Sequence, residues 1–248
     1  MATARLLDGK VALITGGSRG LGRAIARAFA GEGARIAFTY ARDEDGSRAT
    51  IAECPRPDEV RAFRVSVLDV PATDAMVAAI EREWGSIDIL VNNAGVSQNM
   101  PLALMEEEDW DRVMDVNVKG TFLTSKAVLR GMIRRKRGVV LNIGSLVGVR
   151  MIEAPIHYCA SKAAVKGLTE ALAKEVARYG IRVICLAPGL LEDGVGRNLP
   201  DYRLADYLKH CSLGRLGGLA EVARFAAFLV SDANSYMSGE TVVIDGGV

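Results

Sequence analysis

An apolar run, VALIT (Val11–Thr15), runs directly into TGGSRGLG (Thr15–Gly22), and an amphipathic run, LGRAIARAFAGEG (Leu21–Gly33), follows at once. The first run reads as a buried strand and the second as a helix closed by glycine. A strand that turns through glycines straight into a helix is half of a βαβ crossover. Such crossovers build parallel sheets covered by helices on both faces. The glycines also have a chemical use. They let the backbone turn tightly and approach a pyrophosphate, while the start of the helix offers unpaired N–H groups and a positive dipole end. A plain tight turn is the simpler alternative. The position at the first βα junction favours a dinucleotide site.

The rest of the chain repeats the alternation. Strands are expected at Arg35–Tyr40, Ala62–Leu68, Asp88–Gly95, Gly138–Ser145, Ile181–Gly189 and Thr241–Asp245. Helices are expected at Asp74–Gly85, about Trp110–Arg135, from Ile156 to about Tyr179, and near Glu221–Ser231. No linker, low-complexity tract or internal repeat interrupts the pattern. The expected fold is α/β: one Rossmann-type, doubly wound parallel sheet of about seven strands over residues 1–248.

Composition excludes several classes of function. The 248 residues carry 31 basic and 30 acidic side chains, a net charge of +1, so there is no overall field for nucleic acid or an anionic membrane. The cysteines, Cys54, Cys159, Cys185 and Cys211, match no zinc or redox spacing and read as free thiols. With only His157 and His210, a histidine-rich metal site is excluded and no metal is expected. No apolar run reaches transmembrane length, and MATARLLDGK contains no hydrophobic signal region. The expected location is the cytoplasm.

The stretch IHYCASK (Ile156–Lys162) sits at the start of a helix, with Tyr158 and Lys162 four residues apart and therefore on one face. Ser145 ends the expected fifth strand, at the sheet edge where such folds bind ligands. A phenol of pKa near ~10 is a sluggish acid at neutral pH, and a neighbouring ammonium lowers that pKa. Ser145 could hold a carbonyl oxygen while Tyr158 protonates it. Taken alone, Tyr158 and Lys162 could equally be a core ring and a solvated cation.

With these parts in order, the chain resembles the short-chain dehydrogenases/reductases over nearly its whole length. The motifs are TGGSRGLG, LDV with Asp69 and Val70, NNAG at Asn92–Gly95, Asn117 in MDVNVKG, Ser145, YCASK, and Pro188-Gly189. The resemblance implies strand order 3-2-1-4-5-6-7. It implies Tyr158 as general acid, Lys162 as its partner on the nicotinamide ribose, Ser145 as carbonyl anchor, and Asn117 holding a water in a proton relay. The cofactor would lie on Gly16, Ser18, Arg19, Gly20, Leu21 and Gly22, with Asp69 and Val70 at the adenine. Asn93, Ala94 and Gly95 would line its trough, followed by Pro188, Gly189 and Leu191. The second expected strand ends without an acid for a ribose 2′-OH, Asp43 comes late, and Ser18, Arg19 and Arg42 could meet a 2′-phosphate, which favours NADP(H). Arg42 could also be a solvated loop charge.

Within that family the chain looks most similar to reductases of 3-oxoacyl groups on acyl carrier protein, an NADPH-dependent ketoreductase reading tied to fatty acid or polyketide synthesis. Other alcohol or ketone reductases, or a non-catalytic NADP(H)-binding protein, are the alternatives. Arg130, Arg134, Arg135, Lys136 and Arg137 cluster at the end of the long helix and Arg178 ends the catalytic helix; together they could dock an acidic carrier protein at a neighbouring subunit's cleft, or be solvated helix ends. A homotetramer is implied by the resemblance, with Ala160, Ala163, Ala164 and Gly167 permitting close helix contact or packing on the sheet. The run PGLLEDGVGRNLP departs from the family pattern and places Asp193 where a threonine usually stands. About residues 190–213 would form a substrate lid, with Tyr202, Leu204, Tyr207 and Leu208 lining a pocket or forming the buried face of a short helix.

Overall fold

The computed structural model describes residues 5–194 and 201–248. In chain order it contains β1 (Val11–Ile14), α1 (Gly20–Gly31), β2 (Arg35–Tyr40), α2 (Glu44–Glu53), β3 (Val60–Arg64), α3 (Val70–Trp84) and β4 (Ile89–Asn92). There follow α4 (Glu107–Met114), α5 (Gly120–Arg135), β5 (Gly138–Ile143), α6 (Ile156–Val176), β6 (Ile181–Pro188), α7 (Asp201–His210), α8 (Leu219–Val230) and β7 (Thr241–Ile244). The strands form one sheet in the order β3-β2-β1-β4-β5-β6-β7. Every paired neighbour is parallel. Both the α/β fold and the strand order expected from the sequence are therefore observed.

Successive strand side chains point to opposite faces, so each strand feeds two cores. Ile14, Val91, Leu141 and Ile184 pack with Phe29 and Phe38 on one face, against α1 and α8. Their chain neighbours Leu13, Leu90, Val140 and Val183 pack on the other face with Met76, Ile80, Val128 and Met132 from α3 and α5. This is why the strands read as unbroken apolar runs.

Several boundaries differ from the sequence reading. Helix α2 was not anticipated, because Gly46 interrupts it and its buried residues, Ser47 and Thr50, are polar. The third strand runs at Val60–Arg64, earlier than expected. The apolar residues after it form a turn that ends at Asp69, whose carboxylate accepts from Ala72 N at 3.0 Å and caps α3. The long helix is two helices, α4 and α5, joined by a π-helical turn at Asp115–Lys119. Ser145 lies beyond β5, where a short 3-10 turn starts, and Asn93–Gly95 lie beyond β4. All of these loops sit at the carboxyl edge of the sheet.

Candidate active site

At the carboxyl end of β1 the chain turns through Gly16 (φ +70°) and Gly20 (φ +54°), left-handed conformations that glycine adopts without strain. A Cβ on Gly22 would lie 2.1 Å from the Gly16 carbonyl oxygen and 2.5 Å from Asn93 Nδ2. Only glycine fits there, because both neighbours are fixed. The Asn93 amide donates to the carbonyls of Thr15 and Gly16, each at 3.0 Å. Thr15 is buried, and its hydroxyl accepts from the amides of Asn93 (3.0 Å) and Ala94 (2.9 Å). Asn93 and Ala94 are thus tied to the glycine turn, and Gly95 follows on the exposed side.

The N-terminus of α1 fits an anion. Arg19 occupies the cap position with no side-chain cap, and the first turn holds no acidic residue. Its free N–H groups and positive dipole end are left for a ligand. The turn is held from behind by Arg23, which the sequence reading did not single out. Its guanidinium donates to the Ser18 carbonyl (Nη2, 2.6 Å), the Gly46 carbonyl (3.1 Å) and Thr50 Oγ1 (3.1 Å). Thr50 in turn donates to the Gly17 carbonyl at 3.0 Å. Nothing in the sequence links residues that distant. Ser18 is buried, while Arg19 and Arg42 are exposed and make no ion pair among the described residues. Asp43 caps α2, accepting from Gly46 N at 2.9 Å. Val70 is exposed at the start of α3, beside the capping Asp69. Pro188 ends β6, Gly189 N donates to the Ile244 carbonyl at 2.9 Å, and Leu191 forms a bridge with Gly217.

Across the same edge stand Ser145, Tyr158 and Lys162. Tyr158 and Lys162 share one face of α6, with Lys162 Nζ 5.6 Å from the centre of the phenol ring. Burial pushes the Tyr158 pKa up to about 12, and a hydrogen bond with the Ser145 side chain pulls it down. Lys162 is buried; its ammonium donates to the Ile143 carbonyl at 2.7 Å, and burial lowers its pKa to about 8. The lowering of the tyrosine pKa expected from Lys162 is not observed: burial dominates at both groups, and the influence that lowers the Tyr158 pKa is the Ser145 hydrogen bond. Tyr158 consequently rests as a neutral acid.

Asn117 is buried in the π-helical turn. Its amide donates to the Val96 carbonyl and to Ser161 Oγ, both at 3.0 Å, and its Oδ1 accepts from Val96 N at 2.8 Å. Both amide hydrogens are used, so the side chain joins the post-β4 loop to α6 one residue before Lys162. A further buried chain runs from Ser125 through Asn92 and Asn142 to Thr169, with links of 2.8–2.9 Å. It crosses from α5 through β4 and β5 to α6, behind the site.

The basic cluster lies elsewhere. Arg134, Arg135, Lys136 and Arg137 precede β5, and Arg178 precedes β6, at the amino edge of the sheet and opposite Tyr158. Arg134 and Arg135 pair with Glu81 at 3.3 and 3.1 Å, and Arg137 pairs with Asp88 at 3.1 Å. A surface depression at that edge is lined by Arg182 and Asp232. The Arg182 guanidinium there is spent on the carbonyls of Leu229, Met237 and Ser231. Among the described residues, no group of three or more His, Cys, Asp or Glu could hold a metal, and no helix is long and apolar enough to cross a membrane.

In the lid region, Tyr202, Leu204, Tyr207 and Leu208 do lie on a short helix, α7, but Tyr202 is exposed and the other three are only half-buried. Asp193 Oδ1 accepts from Gly194 N at 2.6 Å. The lid's residues 195–200 lie outside the described residues.

A glycine cradle ending on a helix N-terminus, facing a serine, a tyrosine and a lysine across one sheet edge, defines a nicotinamide-dependent oxidoreductase acting on CH–OH or C=O groups. Residues 16–248 match the family model described as enoyl-(acyl carrier protein) reductase. The chain is similar to the 3-oxoacyl-[acyl-carrier-protein] reductase FabG of Escherichia coli (strain K12), at 39% identity over 241 residues, 97% of this chain and 98% of that one. Its likeness to the FabG of Vibrio cholerae serotype O1 is 40% over 242 residues, covering 98% of each. A solved mutant short-chain dehydrogenase/reductase of Serratia marcescens superposes with a TM-score of 0.90 at 32% identity, covering 98% of both chains. The chain belongs to the short-chain dehydrogenase/reductase family.

Proposed function

We propose that the protein is an NADPH-dependent ketoreductase that converts a 3-oxoacyl thioester, carried by acyl carrier protein or CoA, to the 3-hydroxyacyl product. The observation that carries this reading is the joint position of Ser145, Tyr158 and Lys162 at the carboxyl edge, in a chain whose full-length relatives bear that reductase name. The bound cofactor supplies hydride to the keto carbon. Ser145 holds the keto oxygen by a hydrogen bond. Tyr158, kept neutral by burial, gives its proton to that oxygen. The resulting phenolate is stabilised by the Lys162 charge, and the single Ser145 O–H can turn to it once the keto oxygen is protonated. Lys162 stays in place through its bond to the Ile143 carbonyl. Asn117 positions the loop and helix around this centre through its bonds to Val96 and Ser161, and a relay water would be held there by donating to an Asn117 oxygen.

NADPH is favoured over NADH because β2 ends without an acid and the first one after it, Asp43, is occupied in capping α2, while Arg19 at the α1 N-terminus and Arg42 after β2 are exposed and make no ion pair among the described residues. A homotetramer suits the outward placement of Ala163 and Gly167 on α6 and of Phe122 on α5. Docking of a carrier protein on the arginine cluster would serve only a neighbouring copy's cleft, since the cluster lies at the opposite edge of its own subunit. The free cysteines suit a reducing cytoplasm, the proposed location.

The test is loss of NADPH absorbance with 3-oxoacyl, 2-enoyl, simple ketone and sugar substrates. Turnover of 3-oxoacyl thioesters is expected. Turnover of the 2-enoyl compounds instead would move the reading toward the reaction in the family's description, and binding without any turnover would point to a non-catalytic role. The paired change Arg19→Gln/Arg42→Gln is expected to weaken NADPH about tenfold and leave NADH unchanged.

A further inference from the structure

In the turn after β6, the amide of Leu190 is paired with a side chain from a distant helix, while those of Gly189 and Glu192, on either side, pair within the turn and sheet. Gly189 N donates to the Ile244 carbonyl, and Gly217 N donates to the Leu190 carbonyl at 3.0 Å. Glu192 N donates to the Gly217 carbonyl at 3.1 Å. Leu190 N instead donates to the hydroxyl of Tyr207, on α7, at 2.9 Å. That hydroxyl lies 3.4 Å from the Asp245 carbonyl, in the turn after β7, and can donate to it. The approach is close enough that a Cβ on Gly189 would stand 2.4 Å from the Tyr207 oxygen. Gly189 is therefore small so that the phenol can reach the backbone. Burial raises the Tyr207 pKa, so the phenol stays neutral and keeps both roles, accepting and donating.

Other tyrosines do not share this arrangement. Tyr202, on the same helix, is exposed and among the described residues its hydroxyl accepts from its neighbour Arg203. Among the described residues of α7, Tyr207 is the one whose side chain reaches the turn after β6, while the turn after β7 is also held by Cys211, Ser212 and Leu213 just beyond the helix.

We propose that Tyr207 is a positioning residue: its hydroxyl fixes the Gly189–Leu191 turn, which forms one wall of the nicotinamide trough, to the helix that covers the substrate. The inference rests on the functional reading above for what lies against that turn. It does not require Tyr207 to touch substrate. Its consequence is coupling. A displacement of α7 moves the hydroxyl, frees Leu190 N and loosens the cofactor wall, so cofactor and substrate tighten one another.

The test compares Tyr207→Phe, which keeps the ring and removes the oxygen, with Tyr202→Phe. NADPH binding is followed by nicotinamide fluorescence without substrate. Tyr207→Phe is expected to raise the NADPH Kd about fivefold to tenfold, the effect of one lost buried hydrogen bond. The KM for NADPH should rise in parallel while kcat stays within about threefold, a split that general unfolding does not produce. Tyr202→Phe should leave both unchanged. An unchanged Kd in a folded Tyr207→Phe protein overturns the proposal. Should that variant fail to fold, hydrogen exchange at the Leu190 amide of the native protein decides. Protection supports the contact, and exchange at the rate of an exposed amide overturns it. Failure of the native protein to bind NADPH or NADH would instead take down the functional reading, with Leu190 protection still reporting on the contact.

Discussion

Replacing Thr15 by valine isolates what one hydroxyl does for the site. The two side chains have nearly the same shape, so the change opens no cavity. Thr15 is 2% exposed, and its Oγ1 is the acceptor for the amides of both Asn93 and Ala94, at 3.0 and 2.9 Å. Its own donation to the Val91 carbonyl, at 3.5 Å, is long and contributes little. Valine leaves two N–H groups unpaired in a partly buried turn. A buried donor without a partner costs about 1–3 kcal/mol, and two that are only partly buried should together cost roughly 2–4 kcal/mol. Against a total stability of about 5–15 kcal/mol the protein should still fold. Urea unfolding at one fixed protein concentration measures the loss. Thr15→Ser is the control, because it keeps the hydroxyl and deletes a buried methyl, at about 1 kcal/mol. If valine costs less than serine, the hydroxyl is not the pin that holds Asn93 and Ala94 on the glycine turn.

Three other outcomes are expected. Tyr158→Phe should lower turnover at least about a thousandfold while NADPH still binds, as read by steady-state rates and fluorescence titration. Gly22→Ala should unfold the turn or weaken NADPH more than about tenfold, since its Cβ would press on the Gly16 carbonyl and Asn93; wild-type binding would refute the close approach. The Lys162→Met variant should show the sign of the lysine's burial. The folded pKa, about 8, lies below the ordinary 10.5, so between those values the unfolded chain binds more protons and wild-type stability rises with pH. The stability of Lys162→Met relative to wild type should therefore decline across that window, by on the order of 2–3 kcal/mol, and a difference that does not vary with pH would contradict the lowered pKa.

Much of the fold was legible because strands buried on both faces must be apolar at every position. The runs at Val11, Arg35, Gly138 and Ile181 could be read for that reason. Helix α2 was not legible: it buries Ser47 and Thr50 rather than an apolar stripe, and its start is fixed by the Asp43 cap. The break between α4 and α5 was equally hidden, since the π-helical turn keeps right-handed helical backbone angles at both ends, Met114 (φ −65°) and Gly120 (φ −59°). It is there that Asn117 gains both its partners, Val96 and Ser161.

The sequence by itself determined the reacting groups. Spacing along one helix placed Tyr158 beside Lys162, and glycines after a strand prepared an anion site, because both follow from local geometry. The tertiary structure decided how those groups behave. Burial, which no neighbour in sequence reports, moves the phenol and the ammonium in opposite directions and leaves Tyr158 protonated. It also put Arg23 beneath the glycine turn, carried the arginine cluster to the far edge of the sheet, and brought Tyr207 onto Leu190. Local propensity acts over a helical turn or a strand. Desolvation and long-range hydrogen bonds depend on which distant segments the packed sheet brings together.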